Sequence, residues 1–102
     1  MKLWIDDVRP APEGYNWARS VNDAKFQIEW HERFAKVNTE NLILDIDHDA
    51  GGFAHDGGDF IKLLDWLEET GRNYPIRIHS MNPVGVENMR RIIQRNGWTE
   101  VK

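Results

Sequence analysis

The chain has no cysteine, so neither a disulfide framework nor a thiolate metal site is open to it. Basic charge is also short, with 13 Lys and Arg against 17 Asp and Glu, a formal net charge of -4. That balance excludes a broad basic surface tracking a nucleic-acid backbone, while a nucleotide or the end of an RNA can still enter a local pocket. No apolar run approaches the ~20 residues that span a bilayer, and the amino-terminal Leu3-Trp4-Ile5 stops at Asp6-Asp7, far short of a signal peptide. The expectation is a cytoplasmic protein with no membrane partner. Familiar phosphate and nucleophile signatures are missing too: no Walker glycine loop, no GxGxxG after a strand, no GxSxG elbow. Gly51-Gly52 and Gly57-Gly58 give flexibility without a phosphate-cradling spacing.

What remains is a globular composition, 40% apolar and 29% charged over 102 residues, which suits one domain with one core. Five tryptophans read first as volume for that small core, with Trp30 and Trp66 at helical spacing taken as packing residues. Leu3-Trp4-Ile5 forms a buried strand, Pro10 to Gly14 a loop, and Asn16 to Arg19 a second short strand. Ser20 caps a helix, with Asp23 three residues on; Val21, Ala24, Ile28 and Ala35 mark its inner face, flanked by Phe26, Trp30 and Phe34. That helix is expected to run to about Lys36. Leu42-Ile43-Leu44 is the clearest strand. A loop from Asp47 to Gly58 follows, then a helix from near Asp59, with Phe60, Ile61, Leu64 and Leu67 inward and Gly71 closing it. Pro75 to His79 reads as a strand, Val84 to Arg95 as a helix burying Met89, Ile92 and Ile93, and Trp98 to Val101 as a last edge strand. Strands alternating with helices imply a parallel sheet with right-handed crossovers, whose ligands sit beyond the carboxyl ends of the strands.

Those ends carry the chemistry. They read Asp6-Asp7, then Asp45-Ile46-Asp47-His48-Asp49, then His79-Ser80-Met81-Asn82. Alternation along an extended chain points Asp45 and Asp47 the same way. Carboxylates brought together repel, and a thiol-free, oxygen-rich cluster suits a divalent cation such as Mg2+ or Mn2+. His48 and His79 titrate near neutrality and suit base or acid roles. Ser80 and Asn82 can donate to phosphoryl oxygens, and Arg9 can reach in from the first loop. His55 also lies in the rim loop, whereas His31 sits inside the first helix as filler. For any single aspartate the plain alternative is a polar group where a strand stops; three successive strands ending alike favour a site.

The same residues resemble response-regulator receiver domains: Asp6-Asp7 after the first strand, Asp45 after the third, Ser80 after the fourth, and Asp56-Gly57-Gly58-Asp59-Phe60 opening a helix. The chain departs from signalling receivers in lacking a first helix and in offering only Lys102 for their late lysine. It is more similar to a divergent branch, the cyclic-phosphate processing receiver domains, through Trp4-Ile5-Asp6-Asp7-Val8-Arg9-Pro10, Leu44-Asp45-Ile46-Asp47-His48-Asp49 and His79-Ser80-Met81-Asn82. The resemblance implies a three-layer, flavodoxin-like parallel sheet of order 2-1-3-4-5 without the first helix. It implies a hydrolase opening a cyclic phosphodiester, a 2′,3′-cyclic phosphate RNA end or a nucleotide. In that reading Asp6, Asp7 and Asp45 hold the cation, His48 and His79 move protons, and Asp47 or Asp49 fixes a histidine tautomer. Two rivals stand beside it: a receiver phosphorylated on Asp45, and a module that sequesters a nucleotide without turnover.

Overall fold

The computed structural model describes residues 1–34 and 42–102. Its elements are β1 (Lys2–Ile5), β2 (Asn16–Ala18), α1 (Val21–Phe34), β3 (Ile43–Ile46), a 3-10 turn (Gly51–Phe53), α2 (Ile61–Glu69), β4 (Ile76–Ile78) and α3 (Pro83–Asn96). Ala35 and Lys36, placed in the first helix by the sequence pattern, lie outside the described residues.

Local signals set the helix ends. Ser20 Oγ accepts from Asp23 N at 3.0 Å and caps α1, while Asp23 Oδ2 accepts from Arg19 N, the residue before the cap, at 3.4 Å. Asn82 Oδ1 takes the N–H of Gly85 at 3.0 Å and Pro83 follows, so α3 starts with a satisfied donor and a preset φ. Gly97 ends α3 in the left-handed region (φ 67°), and Trp98 N returns to Ile93 O at 3.0 Å.

The strands pair in parallel in the order β2-β1-β3-β4. From β2 to β3 and from β3 to β4 the chain steps the same way across the sheet. Right-handed crossovers therefore put α1, α2 and α3 on one face. Leu3, Ile5, Leu44, Ile46 and Ile76 point to that face and form one core with Ile28 of α1, Leu64 of α2 and Ile93 of α3. Trp66 packs against this core, but Trp30 stands 54% exposed, so only one of the two is a packing residue.

Two expectations are corrected. The sheet has four strands rather than five: Trp98 to Val101 makes a single parallel bridge, Ile76 to Glu100, because β4 is only three residues long and offers one partner after the turn at Gly97. The layers are two rather than three. The step from β1 to β2 runs the other way and is made by a loop, so among the described residues no helix covers the second face. On that open face the register aligns Trp17, Trp4, Asp45 and Arg77 in one row across all four strands. The loop folds back over the row, with Tyr15 edge-on to Trp4 at 5.8 Å and Trp4 Nε1 donating to Arg9 O at 2.9 Å.

A second tie joins α1 to the segment before β4. Glu32 accepts from Arg72 Nε and Nη2, each at 2.9 Å, and from the Tyr74 hydroxyl. The Arg72 bonds hold the Glu32 carboxyl below its ordinary range against the opposing effect of burial. Its folded value is depressed, so its contribution is present above the unfolded carboxyl range and fades as pH falls through the folded value. Glu32→Gln should therefore cost about 1 kcal/mol at pH 7, and the gap from the parent should close toward pH 3, as read from urea midpoints.

Candidate functional site

The sheet ladder continues past the strand ends and fixes the rim. Asp6 N donates to Ala18 O at 3.1 Å, Asp47 N to Ile5 O at 2.9 Å and His79 N to Ile46 O at 3.0 Å. The carboxyl ends of β1, β3 and β4 are thus held side by side.

His79 lies at their centre. Its Nε2 is 2.9 Å from Asp6 Oδ2 and its Nδ1 is 2.6 Å from Asp45 Oδ1, and its ring stacks on Trp4 at 3.8 Å and 6°. Arg77, two residues earlier and on the same side of β4, donates to Asp45 Oδ2 at 3.0 Å. Asp6 is fully buried and Asp45 is 1% exposed, so each needs these partners. Both ring nitrogens face a carboxylate oxygen, and the two contacts require two protons within the group.

The remaining acids form a second group. One carboxylate oxygen from each of Asp6, Asp7 and Asp47 lies within 4.8 Å of the others. Burial pushes Asp6 up, but N–H donors from Arg9 at 2.9 Å and Val8 at 3.0 Å, with His79, outweigh it and hold the carboxyl low. Asp7 is pushed up, first by burial and then by the charges of Asp6 and Asp47, against its own amide. Hard oxygen donors with repelling charge form a set that suits Mg2+, Mn2+ or Ca2+. Asp45, grouped with Asp6 and Asp7 by the motif, has both oxygens engaged by His79 and Arg77, and Asp47 stands in the triplet instead.

Side chains from β2 and the turn support the acidic pair. Trp17 Nε1 donates to Asp6 O at 2.7 Å. Arg19 Nε and Nη2 donate to Asp7 O at 3.0 and 2.9 Å, with the guanidinium between the rings of Trp17 (4.8 Å) and Phe53 (4.6 Å). Gly51 passes so close to Asp7 that a Cβ there would meet Oδ2 at 2.2 Å.

His48 occupies the helix side of the rim. Its Nδ1 is 2.7 Å from Asp49 Oδ1, and its ring lies against Gly85 of α3, where a Cβ would come within 2.4 Å. Among the described residues nothing bonds its Nε2. Ser80 Oγ accepts from Asn82 N at 3.1 Å, Asn82 Nδ2 reaches Asp49 at 3.5 Å, and Arg9 Nη1 donates to His79 O at 3.2 Å. The rim therefore divides most of the expected residues between two places: His79 with Asp6 and Asp45, beside Asp7 and Asp47, and His48 with Asp49 and Asn82 above α3. His55 is exposed beside Phe53, outside both. Trp4, Trp17, Arg19 and Arg77 were not singled out as site residues. For Trp4 and Arg77 the signal is their period-two spacing to Asp6 and His79.

A parallel sheet with ligand-type residues at its carboxyl ends and an acidic pair after β1 defines a receiver-like α/β domain. The chain belongs to the cyclic-phosphate processing receiver domain family, whose profile matches residues 1–95. No curated protein and no solved structure matches it. Family and rim together are compatible with the handling of cyclic phosphates.

Removing the imidazole would leave two buried carboxylates each short of one partner. His79→Ala should lower stability by about 3 kcal/mol in urea titration, as for other broken buried pairs. Asp7→Asn should act oppositely. A raised carboxyl value disfavours folding once the group ionises, so without divalent cations at pH 7 this variant should melt a few degrees higher in calorimetry.

Proposed function

We propose that this domain is a phosphoesterase that opens a cyclic phosphodiester, with a 2′,3′-cyclic phosphate on a nucleotide or RNA end as the substrate class. The observation that carries the reading is the pairing of an acidic triplet, Asp6, Asp7 and Asp47, with two histidines each held by a carboxylate. Family membership supplies the phosphate class.

A divalent cation held by Asp6, Asp7 and Asp47 would supply charge neutralisation for the phosphate. The chain's own residues do the rest. Arg9, Ser80 and Asn82 orient the phosphoryl oxygens by donating to them. Asp49 holds Nδ1 of His48, which leaves Nε2 to take a proton from the attacking water. A P–O bond forms to the water oxygen and one ring P–O bond breaks. The departing ribose oxygen receives a proton from His79 Nε2, which gives up its contact with Asp6 Oδ2 to deliver it, while Asp45 and Arg77 hold that ring in place. Each proton transfer contributes about a hundred- to ten-thousand-fold in rate. Asp45 as a phosphoacceptor is disfavoured, because it is buried and both its oxygens are engaged.

The test is turnover of 2′,3′- and 3′,5′-cyclic nucleotides and cyclic-ended oligonucleotides with Mg2+, Mn2+ or chelator. The parent should release the monoester only with cation, and His48→Ala should lose about a hundredfold or more. His79→Gln is the better partner variant, since it retains a donor between the carboxylates. No turnover of any substrate by folded protein would sink the proposal; stable labelling of Asp45 by acetyl phosphate would replace it with signalling.

A further inference from the structure

The stripe Phe26, Trp30 and Phe34 recurs every fourth residue along α1, so one side of the helix presents three large rings, 66%, 54% and 61% exposed. Trp30 and Phe34 already touch, their centroids 5.1 Å apart. The stripe also borders two cavities of 160 and 200 Å³, each walled by Phe26 and Trp30. Phe26 and Trp30 wall one of these cavities together with Met1 and Asn16, at the amino ends of β1 and β2, so the stripe sits toward the end of the sheet opposite the rim. A solvated helix face of this composition needs a cover.

The flanking charges select the occupant. Glu29 and Arg33 lie along one edge of the stripe, four residues apart; the charge of Glu29 is felt by Arg72, but neither residue closes a salt bridge among the described residues. Gln27 and His31 form the other edge. When two copies of α1 are laid antiparallel about a two-fold axis at Trp30, Phe26 meets Phe34 of the second copy and Trp30 meets its own counterpart. A two-fold axis perpendicular to the helices brings like edges together with their ends reversed, so Glu29 of each copy faces Arg33 of the other. Sequence and spacing are self-complementary in both apolar and charged positions. We propose that this chain forms a two-fold dimer through α1, with the aromatic stripe as its centre and reciprocal Glu29–Arg33 pairs at its edge. The rims then point away from the interface and stay open, so assembly and the phosphate site are independent.

The test is sedimentation equilibrium on the full chain at 0.1 M salt, with thermal melts as a check of folding. The parent should associate with a dissociation constant of ~10 μM, as for a small interface. Trp30→Glu should leave monomer throughout the accessible range. Arg33→Glu sets Glu against Glu and should weaken association about tenfold, and Glu29→Arg should do the same. The double variant Glu29→Arg with Arg33→Glu should return to within threefold of the parent, since it restores opposite charges across the axis. A parent that remains monomeric at several hundred micromolar overturns the proposal. So does a dimer indifferent to Trp30→Glu, or a double variant no tighter than the singles. Cyclic-phosphate turnover per chain should be the same in monomeric Trp30→Glu, so failure of one proposal is distinguishable from failure of the other.

Discussion

The imidazole of His79 between Asp6 and Asp45 is the interaction on which the rest of the rim depends. Two carboxylates at the ends of neighbouring strands would repel and suffer desolvation if left alone; one ring, with a nitrogen facing each, joins them. The flat face of Trp4 supports that ring from below, and Arg77 takes the remaining oxygen of Asp45. Three strands are thereby tied at their carboxyl ends by side chains as well as by the ladder. The same arrangement divides the acids, leaving Asp7 and Asp47 with one edge of Asp6 as the electronegative group.

The absence of a helix between β1 and β2 gives this group its setting. With only a loop over the second face among the described residues, Trp17, Trp4, Asp45 and Arg77 form a row that a second helix layer would otherwise cover. Tyr15 and Arg9 from the loop cover part of it. Two of the five tryptophans therefore hold the rim as well as filling volume: Trp4 under His79, and Trp17 donating to the Asp6 carbonyl and stacking on Arg19. A small domain with one core has few side chains to spare, and these rings serve packing and positioning together.

Much of the site was legible because strand ends are local events. Apolar runs stop where the chain leaves the core, so the positions of Asp6-Asp7, Asp45 to Asp49 and His79 to Asn82 at one edge followed from pattern alone. The N-cap at Ser20 was equally local. Less legible was which acid meets which base. Trp4, Asp45 and Arg77 become neighbours only through strand register, which joins residues some forty and some thirty positions apart. His48 lies against α3 because Gly85 lacks a side chain, a fact visible only when helix and rim are docked.

The sequence by itself determined the elements, the parallel sheet, the acidic and histidine-bearing edge and the family resemblance, because these follow from periodicity and from short motifs within one segment. Tertiary structure alone decided the number of layers, the loss of the fifth strand and the separation of the two histidines onto different sides of the rim. It also assigned Asp45 to His79 and Asp47 to the acidic triplet. Such outcomes depend on strand order, crossover direction and non-local register, where one residue's surroundings are supplied by distant parts of the chain.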